Sequence, residues 1–523
     1  MNFWKWLKYS LITLGILTLV SMYLFHRTGL QIYGALTEKV DHNQFKPTTG
    51  AIAISNVNVL SSDGESFLED QTVMINNGKI QSINSKSGIS EKVTKIDGSG
   101  KYLIPGLIDA HVHLFKSPND LLLYIANGVT EVRELIGEPD HLKWRKEIEN
   151  GRIGPRMFVA TPRLGSFESM EGWFMETTQG FLNVKNAEEA EKMIKSLHQQ
   201  GYDGVKIYSQ LNKESYDAIM KTAASLDMPT FGHIPWSIGL EDLYKSGQSG
   251  IAHFEEIMNA LNRELGEKEF GNFYGNEEAF LAYVEERSED IAQNLIKNNI
   301  PVTSTLWLTQ TFARQKFDLD QLLKEVELEY QNPGISEWNK FIPGGLGWLP
   351  EVNRFKLAEG LIEERLKSHK KYWTAYGEAC KILASKLNEK GVKIMAGTDT
   401  NLPPTVPGFS LHDELISLSE AGMTPAQALR SATTTPANWL KRKSGKIASG
   451  YDANMILLDK NPLEDISNTK AINTVISQGR VFNSELLGQI LASVKEANDR
   501  SRKVDISHYI TDKVNPLLSE HVD

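Results

Sequence analysis

The chain has 523 residues, 41% hydrophobic and 23% charged, an ordinary globular composition with length for more than one domain. Its formal net charge of −10 weighs against nucleic acid as a partner, which would need a basic face. A single cysteine, Cys380, excludes an intramolecular disulfide.

In chain order, the first element is an uncharged run over residues 9–25, rich in Leu, Ile and Val. As a helix at ~1.5 Å per residue it spans ~26 Å, close to the lower limit for crossing a bilayer. Trp4 and Trp6 precede it, as interfacial aromatics do. No small-x-small cleavage site follows, and no cysteine stands there to accept lipid. The expectation is an uncleaved anchor over residues 1–30, then a polar linker over 31–49. Lys5 and Lys8 lie before the run and Arg27 after it. The positive-inside bias then places the protein in the inner (plasma) membrane as a single-pass chain, with its bulk on the periplasmic or extracellular side.

A β-rich segment follows over residues 50–104. Ile52, Ile54, Val57 and Val59 mark one strand, Val73 and Ile75 a second, Ile80 and Ile83 a third, with Asn77-Gly78 as a hairpin turn. From residue 105 the pattern becomes strand, loop, helix. Strands are expected at 102–108, 128–133, 157–160, 203–208, 229–233, 251–253, 301–306 and 392–396. Helices fall between them, for example at 185–199 and 213–226. Thr424-Pro425-Ala426-Gln427 reads as a capped helix start. After residue 439 the chain turns β again, at 455–458 and 474–477, and residues 485–503 read as helix. The architecture expected is α/β: a (β/α)8 TIM barrel over 105–438, inserted in a small β-sandwich domain built from both chain ends (50–104 and 439–484), with a C-terminal helix and tail over 485–523. Two long barrel connections, 254–300 and 309–391, suit lids or substrate walls. The second holds Trp338, Phe341 and Trp348.

Several chemistry-bearing residues sit at the ends of these strands: Asp109-Ala110-His111-Val112-His113, Lys206, His233, His253 and Asp399. Residues two apart in a strand face the same way, so His111 and His113 can hold one cation. Imidazole and carboxylate suit zinc or a similar ion. Each piece alone has a plainer reading, as a core histidine or a helix-capping aspartate. Their joint placement at strand ends is what a barrel site requires.

The phrase Pro105-Gly106-Leu107-Ile108-Asp109-Ala110-His111-Val112-His113 resembles the opening signature of the metal-dependent amidohydrolase superfamily, in its imidazolonepropionase-like and Xaa-Pro dipeptidase-like branch. Gly128-Val129-Thr130-Glu131-Val132-Arg133 is similar to that family's second strand, and Ala396-Gly397-Thr398-Asp399-Thr400 to its eighth. The resemblance covers roughly residues 50–482 and departs at Asp452-Ala453-Asn454-Met455, where the family has an Ala-Asp pair. It implies two divalent ions, zinc by preference. His111, His113 and Asp399 would hold the first, His233 and His253 the second, and a carboxylated Lys206 would bridge them. Asp399 would also be the catalytic base. The substrate would be a small molecule or dipeptide, with Tyr208 and Arg133 as candidate substrate contacts. The chain could also form a homo-oligomer. Two other readings stay open: a mononuclear deaminase or lactonase on the same fold, and a non-catalytic surface binding protein.

Overall fold

The computed structural model describes residues 3–84, 93–265, 275–337, 347–353, 357 and 360–510. Eight short parallel strands form its centre: Leu107–Val112, Val129–Glu134, Arg156–Val159, Val205–Ile207, Thr230–Gly232, Ile251–Ala252, Val302–Thr303 and Ile394–Met395. The first three pair with one another, as do the last five. A bridge between Ala160 and Gly204 joins the two groups. The ring closes where Ala110 N donates to Ala396 O at 2.9 Å and Asp399 N to His111 O at 2.9 Å. The result is a TIM-barrel-like ring. Its strands are buried on both faces, so even polar residues such as Asp109, Glu131 and Arg133 are enclosed. Gly232, at φ +137, lets the fifth strand approach the fourth; a Cβ there would meet Ile207 O at 2.2 Å.

The helices between strands follow from local chemistry. Ala187–Gln200 starts at Asn186, whose side chain accepts from Glu189 N, and ends at Gly201 in the left-handed region. Ala190, Ile194 and Leu197 form its buried stripe. Thr424 and Gln427 make the expected capping box.

Strands before and after the barrel join in one eight-stranded sheet. Its order is Arg480–Asn483, Ile472–Ser477, Met455–Leu458, Tyr102–Pro105, Ile52–Leu60, Phe67–Asn76 and Lys79–Asn84, with Thr94–Asp97 beside Ile52–Leu60. Register pairs Ile456 with Ile104 and Ile52 with Ile75. Alternation along Met455–Leu458 divides its side chains between two cores. Met455 and Leu457 pack within the sheet, whereas Ile456 and Leu458 join the large cluster that includes the barrel.

The N-terminal helix runs over Phe3–Ile32, and the part from Trp4 is long and apolar enough to cross a bilayer, with none of its apolar window buried. Residues 31–49, expected as a polar linker, are instead packed on the barrel. Lys116 N donates to Tyr33 O at 2.9 Å, the Tyr33 and Phe115 rings lie 5.2 Å apart, and Thr37 Oγ1 donates to Asn332 Oδ1 at 2.6 Å. The polar composition of this stretch hides the few side chains, Ile32 and Phe45 among them, that it buries. Of the aromatic residues expected over the site, Trp338 and Phe341 lie outside the described residues. Trp348 is fully buried, so its ring is core rather than lid.

Candidate metal centre

The first strand delivers His111 and His113 to the carboxyl end of the barrel, and the turn after the eighth delivers Asp399. Asp399 Oδ1 lies 2.8 Å from His113 Nε2 and 3.2 Å from His111 Nε2, and the two Nε2 atoms are 3.3 Å apart. Donor atoms of His111, His253 and Asp399 all lie within 4.8 Å of one another. Yet Asp399 Oδ1 accepts no hydrogen bond. Lys206, on the fourth strand, is fully buried with no partner for Nζ. Apart from the contact between the two Nε2 atoms, buried polar groups converge here without partners, at Asp399 Oδ1 and Lys206 Nζ, and such a donor set fits a shared cation.

His253 and His233 complete the group. The His253 ring is 4.3 Å from that of His111 and 5.4 Å from that of His233. Each has one nitrogen engaged. His253 Nδ1 meets Thr305 Oγ1 at 3.0 Å. His233 Nδ1 meets Ser209 Oγ at 2.7 Å, with Glu256 Oε1 at 3.3 Å. That leaves Nε2 of each free to ligate, which is how a second layer of groups selects the tautomer. Strained backbone gathers here: Phe115, His253, Thr305, Asp399 and Asn401 all have positive φ between 44° and 73°.

Burial dominates the electrostatics. It lowers His111 and His233 well below the usual imidazole value and takes His253 down to about 4, so these rings are neutral, as ligands must be. It lowers the Lys206 ammonium to about 7, against the pull of Asp399 and Glu256. Burial acts to lower His113 too, but the Asp399 carboxylate at 2.8 Å and Glu134 outweigh it and raise that ring, while Asp399 itself is held well below its usual value.

Sequence reasoning passed over the groups behind these. Asp109 accepts from Thr398 Oγ1 at 2.7 Å, from Thr398 N at 3.1 Å and from His111 N at 3.2 Å, which ties the first strand to the eighth. Glu134 accepts from Leu114 N at 2.6 Å and Ile136 N at 2.7 Å, with His113 Nδ1 at 3.9 Å. Glu414 accepts from Leu306 N, Trp307 N and Ser304 Oγ. Asp109 and Thr398 stand inside the motifs already noted. Glu134 follows the second-strand motif directly, and nothing in the spacing marks Glu256 or Glu414.

Of the candidate substrate contacts, Tyr208 stacks on His233 at 4.3 Å and touches Phe181 edge-on at 5.3 Å, so it borders the site. Arg133 does not. It is 1% exposed, with its guanidinium over Trp439 at 4.3 Å and Phe231 at 4.7 Å and its Nη1 on Met395 Sδ at 3.7 Å. Alternation along the second strand turns it into the barrel interior, where a substrate carboxylate would have to cross packed side chains.

Comparison with known proteins adds to this geometry. The amidohydrolase family model matches residues 378–482. An ochratoxinase from Aspergillus niger is 34% identical over 105 residues, 19% of this chain and 21% of that protein. An adenine deaminase from Lactobacillus delbrueckii subsp. bulgaricus is 26% identical over 212 residues, 38% of this chain and 36% of that one. The chain thus spans well under two thirds of these curated relatives. Solved structures match more widely at lower identity. A bottromycin amidohydrolase has a TM-score of 0.62 at 19% identity, covering 87% of this chain and 91% of its own. A Xaa-Pro dipeptidase with bound methionine has 0.57 at 19% identity, covering 83% and 100%. The A. niger ochratoxinase structure has 0.57 at 18% identity, covering 83% and 96%. The sequence match to the amidohydrolase family thus lies in residues 378–482, and the chain shares its fold with these solved structures.

Proposed function

We propose that the chain is a membrane-anchored, binuclear metal-dependent hydrolase of an amide or peptide-like C–N bond, with dipeptides or cyclic amides as substrates. One observation carries the reading: His111, His113 and Asp399 converge at 2.8 to 3.3 Å, Asp399 Oδ1 accepts no hydrogen bond, and an unpartnered, buried Lys206 stands on the neighbouring face of the barrel. His111, His113 and Asp399 would hold one ion, His233 and His253 the other. A lysine lowered to about 7 offers a neutral amine near neutrality. Its nitrogen can form a bond to carbon dioxide and lose a proton, giving a carbamate whose oxygens would serve as anionic ligands to the ions. Divalent ions there, zinc by ligand chemistry, would acidify a water towards a pKa of ~7 and polarise the scissile carbonyl.

The chain's own groups do the rest. The Asp399 carboxylate takes a proton from the attacking water and passes it to the leaving nitrogen. Thr305 and Ser209 fix the rings of His253 and His233, and Tyr208 walls the substrate on the His233 side. The N-terminal run is long and apolar enough to cross a bilayer, and residues 31–49 after it pack on the barrel, which would set an anchor directly against the catalytic domain. The likeness to adenine deaminases favours a second reading, deamination at a single ion.

The test is a panel of prolyl dipeptides, hydantoins and adenine, offered to the full chain in mild detergent. Hydrolysis of an amide, abolished by chelation and restored by zinc, is expected. Turnover indifferent to chelation would overturn the proposal, and metal-dependent ammonia release from adenine alone would establish the second reading.

A further inference from the structure

The helix Phe3–Ile32 meets the barrel at the end that carries the metal centre. Tyr33 packs on Phe115, two residues beyond His113, and Asn332, which receives Thr37, also donates to Ser117 Oγ at 2.8 Å. The apolar run ends at Phe25, and residues 26–32 continue the same helix. Seven helical residues span only ~10 Å, so the mouth of the site stands close to any bilayer that holds the run.

Exposed apolar side chains gather at the same end. The helix Ser169–Gln179 lies in the connection after the third strand. Its Gly172 is buried, while Met170, Trp173 and Phe174 are 86%, 68% and 46% exposed. Their i, i+3, i+4 spacing puts them on one face. Trp236, three residues past His233, is 61% exposed, and its backbone N–H donates to Ser209 O at 2.9 Å. Among the described residues, the large exposed tryptophans are these two and Trp4 and Trp6 at the far end of the apolar run. Tryptophan concentrates at both membrane–water interfaces, where its ring is half buried in the headgroup layer. Large apolar side chains exposed together on one helix face mark a contact surface. Glu171 and Glu176 on the same helix are exposed, so the contact is apolar rather than a basic patch on anionic lipid.

Resting on the anchored reading above, we propose that the catalytic end of the barrel is seated on the bilayer, with Met170, Trp173, Phe174 and Trp236 in the headgroup layer. Lipid is favoured over a second copy of the chain by continuity with the anchor. The helix runs unbroken into Tyr33, and no free linker remains to carry this face away from the membrane. The Phe181, Tyr208 and His233 rings, in contact one after another, line the way from the Ser169–Gln179 connection to the metal centre.

Depth measurement by nitroxide labelling tests this in the full chain, reconstituted in phosphatidylcholine vesicles. Labels go at Trp173→Cys, Met170→Cys, Leu14→Cys and Lys297→Cys; Cys380 is buried and Lys297 lies at the opposite end of the barrel. Expected is collision with oxygen severalfold favoured over a water-soluble nickel chelate at 14, 170 and 173, with the reverse at 297. Water-like labels at 170 and 173 with a lipid-like label at 14 would overturn the seating and leave the anchor standing. A water-like label at 14 would overturn the anchor and the seating together. Protection from both probes at 173 with spin–spin broadening would assign the face to a second copy and overturn the proposal.

Discussion

Thr305 holds His253 through one hydrogen bond of 3.0 Å, and it does so from a left-handed backbone position that packing must impose. Removing the hydroxyl while keeping the shape should therefore cost metal before it costs fold. Thr305→Val is expected to weaken metal affinity by about 10-fold or more, read by competition with a chromogenic chelator, with an unchanged circular dichroism spectrum. Thr398→Val does the converse. Asp109 loses its 2.7 Å donor inside the barrel and keeps only backbone partners. A cost of about 1–3 kcal/mol is expected in a denaturant titration. Equal stability to the parent would show that the carboxyl needs no such partner. Burial already pushes the Asp109 carboxyl up to about 7, which is why its donors matter.

Among the elements, most of the barrel strands were legible as short segments rich in apolar and β-branched residues between helical patterns. The strand Val205–Ile207 and the helix Lys213–Ser225 fall where the sequence pattern put them. So does the hairpin at Asn77-Gly78, whose two residues both take positive φ. The helix Ser169–Gln179 and its small strand pair Leu164–Gly165 and Leu182–Asn183 were not legible. Met170, Trp173 and Phe174 look like a core stripe in sequence, and only the fold shows them outside. The ligand histidines stood out by position, but Glu134 ends the second strand, Glu256 stands on the helix Phe254–Glu264 and Thr305 follows the seventh strand, and no spacing rule links them to the residues they hold. Arg133 shows the opposite failure. An arginine in a strand motif suggests a clamp, whereas pleating turns this one inward onto Trp439 and Phe231.

At the scale of the whole molecule, the two ends of the described chain are fastened to each other and to the insertion after the seventh strand. Arg500 pairs with Glu38 at 2.9 Å, and Ser501 Oγ accepts from Glu38 N at 2.9 Å. Arg502, its side chain 7% exposed, pairs with Glu337 at 3.0 Å. The exposed pair contributes little. The buried one is costly to break: Arg502 would keep only Asp499 at 3.4 Å and the carbonyls of Leu328 and Glu329, and Lys503 N and Val504 N would lose their acceptor. Glu337→Ala is expected to lose about 3–5 kcal/mol and to loosen residues 31–49, seen as faster amide exchange there. Exchange unchanged in that stretch would separate the C-terminal clamp from the N-terminal junction.

The central claim, two ions on a barrel with a modified lysine between them, is tested most directly by metal content. The full chain would be purified with bicarbonate present, beside its Lys206→Ala form, and both taken to elemental analysis. The account predicts about two ions per chain in the parent and a clear fall in the variant. One ion in both forms, or none in either, would contradict it.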